Sequence, residues 1–144
     1  MAKIWDKGFD NDALIDRFTV GRDRELDLML APYDIMGTAA HITMLCKVGL
    51  LSAEELSVLL PELKSLYRDA CEGRFSIDEE VEDVHSQVEA ELTRRLGDIG
   101  KKVHTGRSRN DQVLVDLKLF SRERIRRTVG KLQRLFELLQ QGSE

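Results

Sequence analysis

The stretch from Asn110 to about Gln141 constrains the fold more than any other part of this chain. It contains no proline, and Gly130 is its one weak helix former. Val113, Leu117 and Phe120 mark one face, and Ile125, Val129, Leu132, Phe136 and Leu139 follow at steps of four, three, four and three. That heptad-like period belongs to a helix that packs along its length. A helix of about 30 residues is about 45 Å long. Each large apolar side chain contributes roughly 1.5–3 kcal/mol when buried, so the distal stripe is worth on the order of 10 kcal/mol, comparable to the stability of a whole domain. The preceding segments read as shorter helices with proline interruptions. They are too small to cover such a helix, so the stripe is expected to pack on something outside these residues. The alternative is that the helix folds back on the first two.

The rest of the chain also reads as helix. Residues 1–21 lack a clear period and read as an irregular lead-in. A helix is expected from Arg24 to Lys47, carrying Leu26, Leu30, Ile35, Ile42 and Leu45, with Pro32 kinking or breaking it near Ala31 and Gly49 ending it. Ser52 and Glu55 form a capping box ahead of a second helix, Ala53 to about Cys71, in which Pro61 interrupts the apolar pattern and which Gly73 stops. Arg74 to Glu82 is an acidic connector. Asp83 caps a third helix with Val84, Val88 and Leu92 at four-residue steps, ended by Gly97. Asp98 to Arg109 reads as a loop. No strand alternation persists over five residues. The fold class is therefore all-α, divided into an N-terminal helical domain (1–109, with a binding loop over 98–109) and the start of a long-helix bundle domain (110–144).

With 144 residues, 42% hydrophobic and 33% charged, the chain fits one soluble helical unit with a real core. Its net charge of −4 argues against nucleic acid as the main partner. Arg122, Arg124, Arg126 and Arg127 are interrupted by Glu123 and read as a solvated helix face. Cys46 and Cys71 form no CxxC; Cys46 reads as a small buried hydrophobe, and no disulfide is expected. No segment resembles a signal peptide or a membrane span, which leaves the cytoplasm as the expected compartment. The three histidines lack metal-ligand spacing, so no metal and no cofactor are expected.

Chemistry concentrates in His104-Thr105-Gly106-Arg107-Ser108-Arg109-Asn110-Asp111-Gln112. Asn110 reads as the N-cap of the long helix. Free N–H groups and the helix dipole favour anions there, and Arg107 and Arg109 add guanidinium forks that match carboxylates. A polar loop that merely caps a helix is the competing reading.

This segment, with Glu82-Asp83-Val84-His85 lying 19 positions upstream (His85 to His104), resembles the argininosuccinate lyase branch of the fumarase/aspartase superfamily. Looser matches are Asp34-Ile35-Met36-Gly37 and Val48-Gly49-Leu50-Leu51. The resemblance implies β-elimination of argininosuccinate to arginine and fumarate, the last step of arginine biosynthesis, by an all-α homotetramer built around long helices. By the motif match, Ser108, Arg109 and Asn110 would contact the substrate's fumarate-half carboxylates, with Thr105 assisting. His85 would organise the site, oriented by Asp83, and Arg107 would support it; the bland alternative for His85 is a structural histidine in a first helical turn. The family's substrate-contacting serine falls at Asp23, an acid that offers a grip for the guanidinium end of the substrate. The family's N-terminal LWGGRF-like segment is here Ile4-Trp5-Asp6-Lys7-Gly8-Phe9.

Segments resembling GYTHLQ and GSSxMPQKKN, which carry the family's base and proton-handling loop, do not occur in these residues. No catalytic residue is therefore assigned here; base and acid are expected beyond Glu144, and this chain alone is expected to lack turnover. Two other readings compete. One is a non-catalytic structural or binding protein on the lyase scaffold, as with the related lens crystallins, or a truncated product. The other is an adenylosuccinate or fumarate-type enzyme, whose corresponding region does not read HTGRSRNDQ.

Overall fold

The computed structural model describes Phe18 and residues 21–143, without the side chain of Asp23. The lead-in over 1–21, including Ile4 to Phe9, lies almost wholly outside the described residues. The elements are α1 (Asp23–Asp27), α2 (Ala31–Lys47), α3 (Ala53–Cys71), α4 (Val84–Leu96), a 3₁₀ helix (Gly97–Lys102) and α5 (Arg109–Gln141). No strand occurs among the described residues, so the all-α reading holds.

Pro32 breaks the expected first helix in two. It sits in the first turn of α2, where its missing N–H leaves no bond unmade. Gly49 (φ +79°) closes α2: its N–H reaches the Cys46 carbonyl at 3.1 Å, and the Leu50 N–H reaches Leu45 at 2.9 Å. This Schellman turn reverses the chain, and Gly73 (φ +72°) closes α3 in the same way. At the start of α3, Ser52 and Glu55 make the reciprocal capping box read from the sequence.

Pro61 does not interrupt α3, which runs unbroken from Ala53 to Cys71. An interior proline costs about 3 kcal/mol. Leu59, Leu63 and Leu66, on both sides of it, are fully buried, and at roughly 1.5–3 kcal/mol each they outweigh that cost. They pack with Ile35, Ile42 and Leu45 of α2, Val88 and Leu92 of α4, and Val103, with Leu51 closing the turn between α2 and α3. Cys46 is half-buried against this core and Cys71 is exposed, both as free thiols. No helix among the described residues is long and apolar enough to cross a membrane.

The expected loop over 98–109 is largely ordered. Its first part is the 3₁₀ helix, pressed so closely on α4 that a Cβ at Gly100 would lie 2.4 Å from the Thr93 amide nitrogen. α5 differs from all the other long helices. Its buried residues are Gln112 and Asp116, both polar, while Ile125, Val129, Leu132, Phe136 and Leu139 are 47–65% exposed. The helix does not fold back on α2 or α3, the first two helices expected from the sequence, along that stripe.

Because backbone rather than a flexible side chain meets the added atom, Gly100→Ala is expected to destabilise the chain by about 1–3 kcal/mol or more. Urea denaturation checks this, and an unchanged midpoint would contradict the close seating of the 3₁₀ helix on α4.

Candidate functional site

Three sequence segments far apart in the chain converge where α2, α4 and α5 meet. The N-termini of α4 and α5 lie side by side, and Arg109 joins them. Its Nε pairs with Asp83 Oδ2 at 3.0 Å, one Nη donates to Ser86 Oγ at 3.0 Å, and the other reaches Gln112 Oε1 at 3.4 Å. The second Asp83 oxygen accepts the Ser86 N–H at 2.8 Å, so this one carboxylate caps α4 and holds Arg109.

The cap of α5 is Ser108, not Asn110. Ser108 Oγ accepts the Asp111 N–H at 3.3 Å, and the Asp111 carboxylate accepts the Ser108 N–H at 3.2 Å. Two residues with capping preference compete here, and reciprocity with Asp111 at the third helical position favours Ser108. The helix therefore begins two residues earlier than an Asn110 cap would set it, and takes Arg109 and Asn110 into its first turn. Thr105, Ser108 and Asn110 are exposed at this end, and Arg107 and Arg109 are half-buried. As a cap, the Ser108 hydroxyl only accepts, so its own O–H stays free to donate. The loop before it is steadied by His41, whose Nε2–H donates to the Thr105 carbonyl at 2.9 Å, and by His104, whose Nδ1 lies 3.2 Å from Glu89.

The partner of His85 is not Asp83. His85 Nδ1 lies 2.7 Å from Asp34 Oδ1 and 3.7 Å from Asp116 Oδ2, and all three groups are buried. Asp83 points the other way because its oxygens already serve the α4 cap and Arg109. Burial works against a charge on His85, but the hydrogen bond and charge of Asp34, helped by Asp83 and Asp116, win and raise its pKa above the ordinary value. Burial pushes the Asp116 carboxyl up to about 7; the Asp34 charge adds to this and His85 and Arg107 oppose it. Arg107 passes over Gly37 to this cluster, with an Nη 3.2 Å from where a Cβ would stand. The ligand atoms of Asp34, His85 and Asp116 also lie within 4.8 Å of one another, close enough to hold a cation. The guanidinium beside Asp116 and the hydrogen bond already made by Nδ1 favour protons there instead.

Residues 8–144 match the family model described as Lyase. The chain belongs to the lyase family. Among curated proteins, the chain is 59% identical over 142 residues (99% of the chain, 32% of the relative) to the argininosuccinate lyase of Bacteroides fragilis. It is 59% identical over 137 residues (95% and 31%) to that of Parabacteroides distasonis, and 44% over 135 residues (92% and 29%) to that of Methylococcus capsulatus. The chain spans about a third of the length of the relatives it matches.

The fold gathers Ser108, Arg109, Asn110, Arg107, Asp83 and His85 around one junction, with Thr105 on the adjoining loop. The side chain of Asp23 lies outside the described residues, although its backbone opens α1. The sequence motifs include Asp34 and Gln112 without giving them a role, and leave out Ser86 and Asp116. A signal for two of them was present: Gln112 and Asp116 stand three and seven residues after Arg109, on its face of the helix.

The double duty of Asp83 gives a graded expectation. Asp83→Asn keeps a good capping residue and loses only the pairing with Arg109, whereas Asp83→Ala loses both. Thermal unfolding is expected to place the alanine variant about 1 kcal/mol below the asparagine variant; equal stabilities would remove the capping role.

Proposed function

We propose that this chain is the carboxylate-gripping part of an argininosuccinate lyase, which eliminates fumarate from argininosuccinate to release arginine. One observation carries the reading. Arg109 is pinned by Asp83 and Ser86 at the meeting point of two helix N-termini, beside the exposed donors Ser108 and Asn110. Removing a proton next to a carboxylate builds negative charge on that carboxylate, and donors fixed before the reaction lower the barrier. Two helix N-termini, a guanidinium, a hydroxyl and an amide supply such donors. Thr105 assists from the loop, Arg107 and His85 support from beneath, and Asp23 takes the guanidinium end of the substrate. Residues 144 and earlier contain neither the base segment nor the serine loop of the resemblance, so the chain by itself binds without turnover.

Arg109 already has three partners, which also suits a purely structural protein on this scaffold. Calorimetric titration with fumarate separates the two readings. A site role predicts that Arg109→Lys weakens binding at least tenfold with a small change in melting temperature, because a lysine cannot make the fork. Lost stability with unchanged fumarate affinity would leave only the structural reading.

We also propose that copies of this chain assemble as a homotetramer through α5, the bare stripe of one helix packing on its counterparts, with residues 110–144 opening the bundle domain. Leu132→Asp is expected to shift the species seen by light scattering toward monomer. An unchanged mass would exclude the stripe as the contact.

A further inference from the structure

The fully buried anchors of α5 are polar. Gln112 and Asp116 are its buried residues. Below them, Asp34 and Thr38 of α2 and His85 of α4 are buried as well. Neither oxygen of Asp116, nor Asp34 Oδ2, has a hydrogen-bond donor among the described residues. A buried ionised carboxylate without donors is strongly unfavourable, and here two carboxylates flank one imidazole. The arrangement becomes tolerable when protons sit between them: one on the imidazole, and one on a carboxyl that can then donate instead of repelling its neighbour.

We propose that Asp34, His85 and Asp116 form a proton-holding lock between α2, α4 and α5, which fixes where α5 docks and so where Ser108, Arg109 and Asn110 stand. The lock acts on docking, not on substrate, and does not depend on the lyase chemistry. The charged groups around it are Asp27 and Asp34 on the side of α1 and α2, Asp83 near His85, and Arg107 from the loop. The acids favour holding protons, whereas Arg107 favours releasing the one on Asp116.

Both groups titrate in the same sense. Asp116 keeps to about 7 a proton that an unfolded chain releases near 4. Its contribution is therefore present in mild acid and declines as pH rises from about 4 to about 7. His85, with its pKa raised, contributes fully below its unfolded value and loses that contribution as pH rises through its folded one. The seam is tightest in mild acid and loosens in alkali.

The test is thermal and urea unfolding of the full chain between pH 5 and pH 8, with Asp116→Asn as the neutral isostere. The folding constant of the native chain is expected to fall at least tenfold more than that of Asp116→Asn over this interval. At pH 8 the variant is expected to be the more stable of the two. Equal pH slopes would overturn the proposal. So would a variant less stable than the native chain at pH 8, or one that fails to fold, since either would make the Asp116 charge a required counter-ion. Nitrogen chemical shifts of the His85 ring in the unmodified chain give a second readout: a titration midpoint above the ordinary histidine value is expected, and one below it would also overturn the lock.

Discussion

The grip of Asp83 on Arg109 is the interaction on which the rest of the site depends. One carboxylate closes the first turn of α4 with one oxygen and holds a guanidinium of α5 with the other. Since Arg109 belongs to the first turn of α5, the pair sets the two helix N-termini at a fixed separation. The positive ends of two helix dipoles therefore share one small surface, and the exposed side chains of Ser108 and Asn110 inherit their positions from it.

Polar anchoring explains a further property of α5. Most helices in a domain are held by an apolar stripe, with polar residues outside. Here the inward contacts include Gln112, Asp116 and Arg109, along with Glu123, which accepts a hydrogen bond from the Tyr33 hydroxyl at 2.6 Å. Burial, and then that bond, push the Tyr33 phenol up to about 12, while its ring stands edge-on to Phe120 at 5.8 Å. The distal apolar stripe is left uncovered. Polar contacts are directional and weak in net terms, which suits setting a register; the apolar surface is non-directional and large, which suits joining bodies.

Much of the helical scheme was legible in advance because its determinants are local. Capping at Ser52 and Asp83, the turns at Gly49 and Gly73, and the break at Pro32 involve residues within a few positions of one another. Pro61 interrupts the apolar pattern without ending the helix, because Leu59, Leu63 and Leu66 are buried on both sides of it, and burial is a tertiary quantity. The cap of α5 was misplaced by two residues because both Asn110 and Ser108 satisfy local preference, and only the pairing with Asp111 separates them.

The sequence by itself determined that the chain is helical, that its longest helix carries an apolar stripe with no match among the shorter ones, and that arginines and hydroxyls gather at that helix's start. All of these follow from period, propensity and composition over short windows. The tertiary structure alone decided the partnerships: Asp34 rather than Asp83 for His85, Asp83 for Arg109, Asp116 beside Asp34 and His85, and Gly37 as the gap for Arg107. These pairs join residues from 26 to 82 positions apart. Side-chain reach and burial choose among several acids of equal local merit, and both exist only once α2, α4 and α5 are packed.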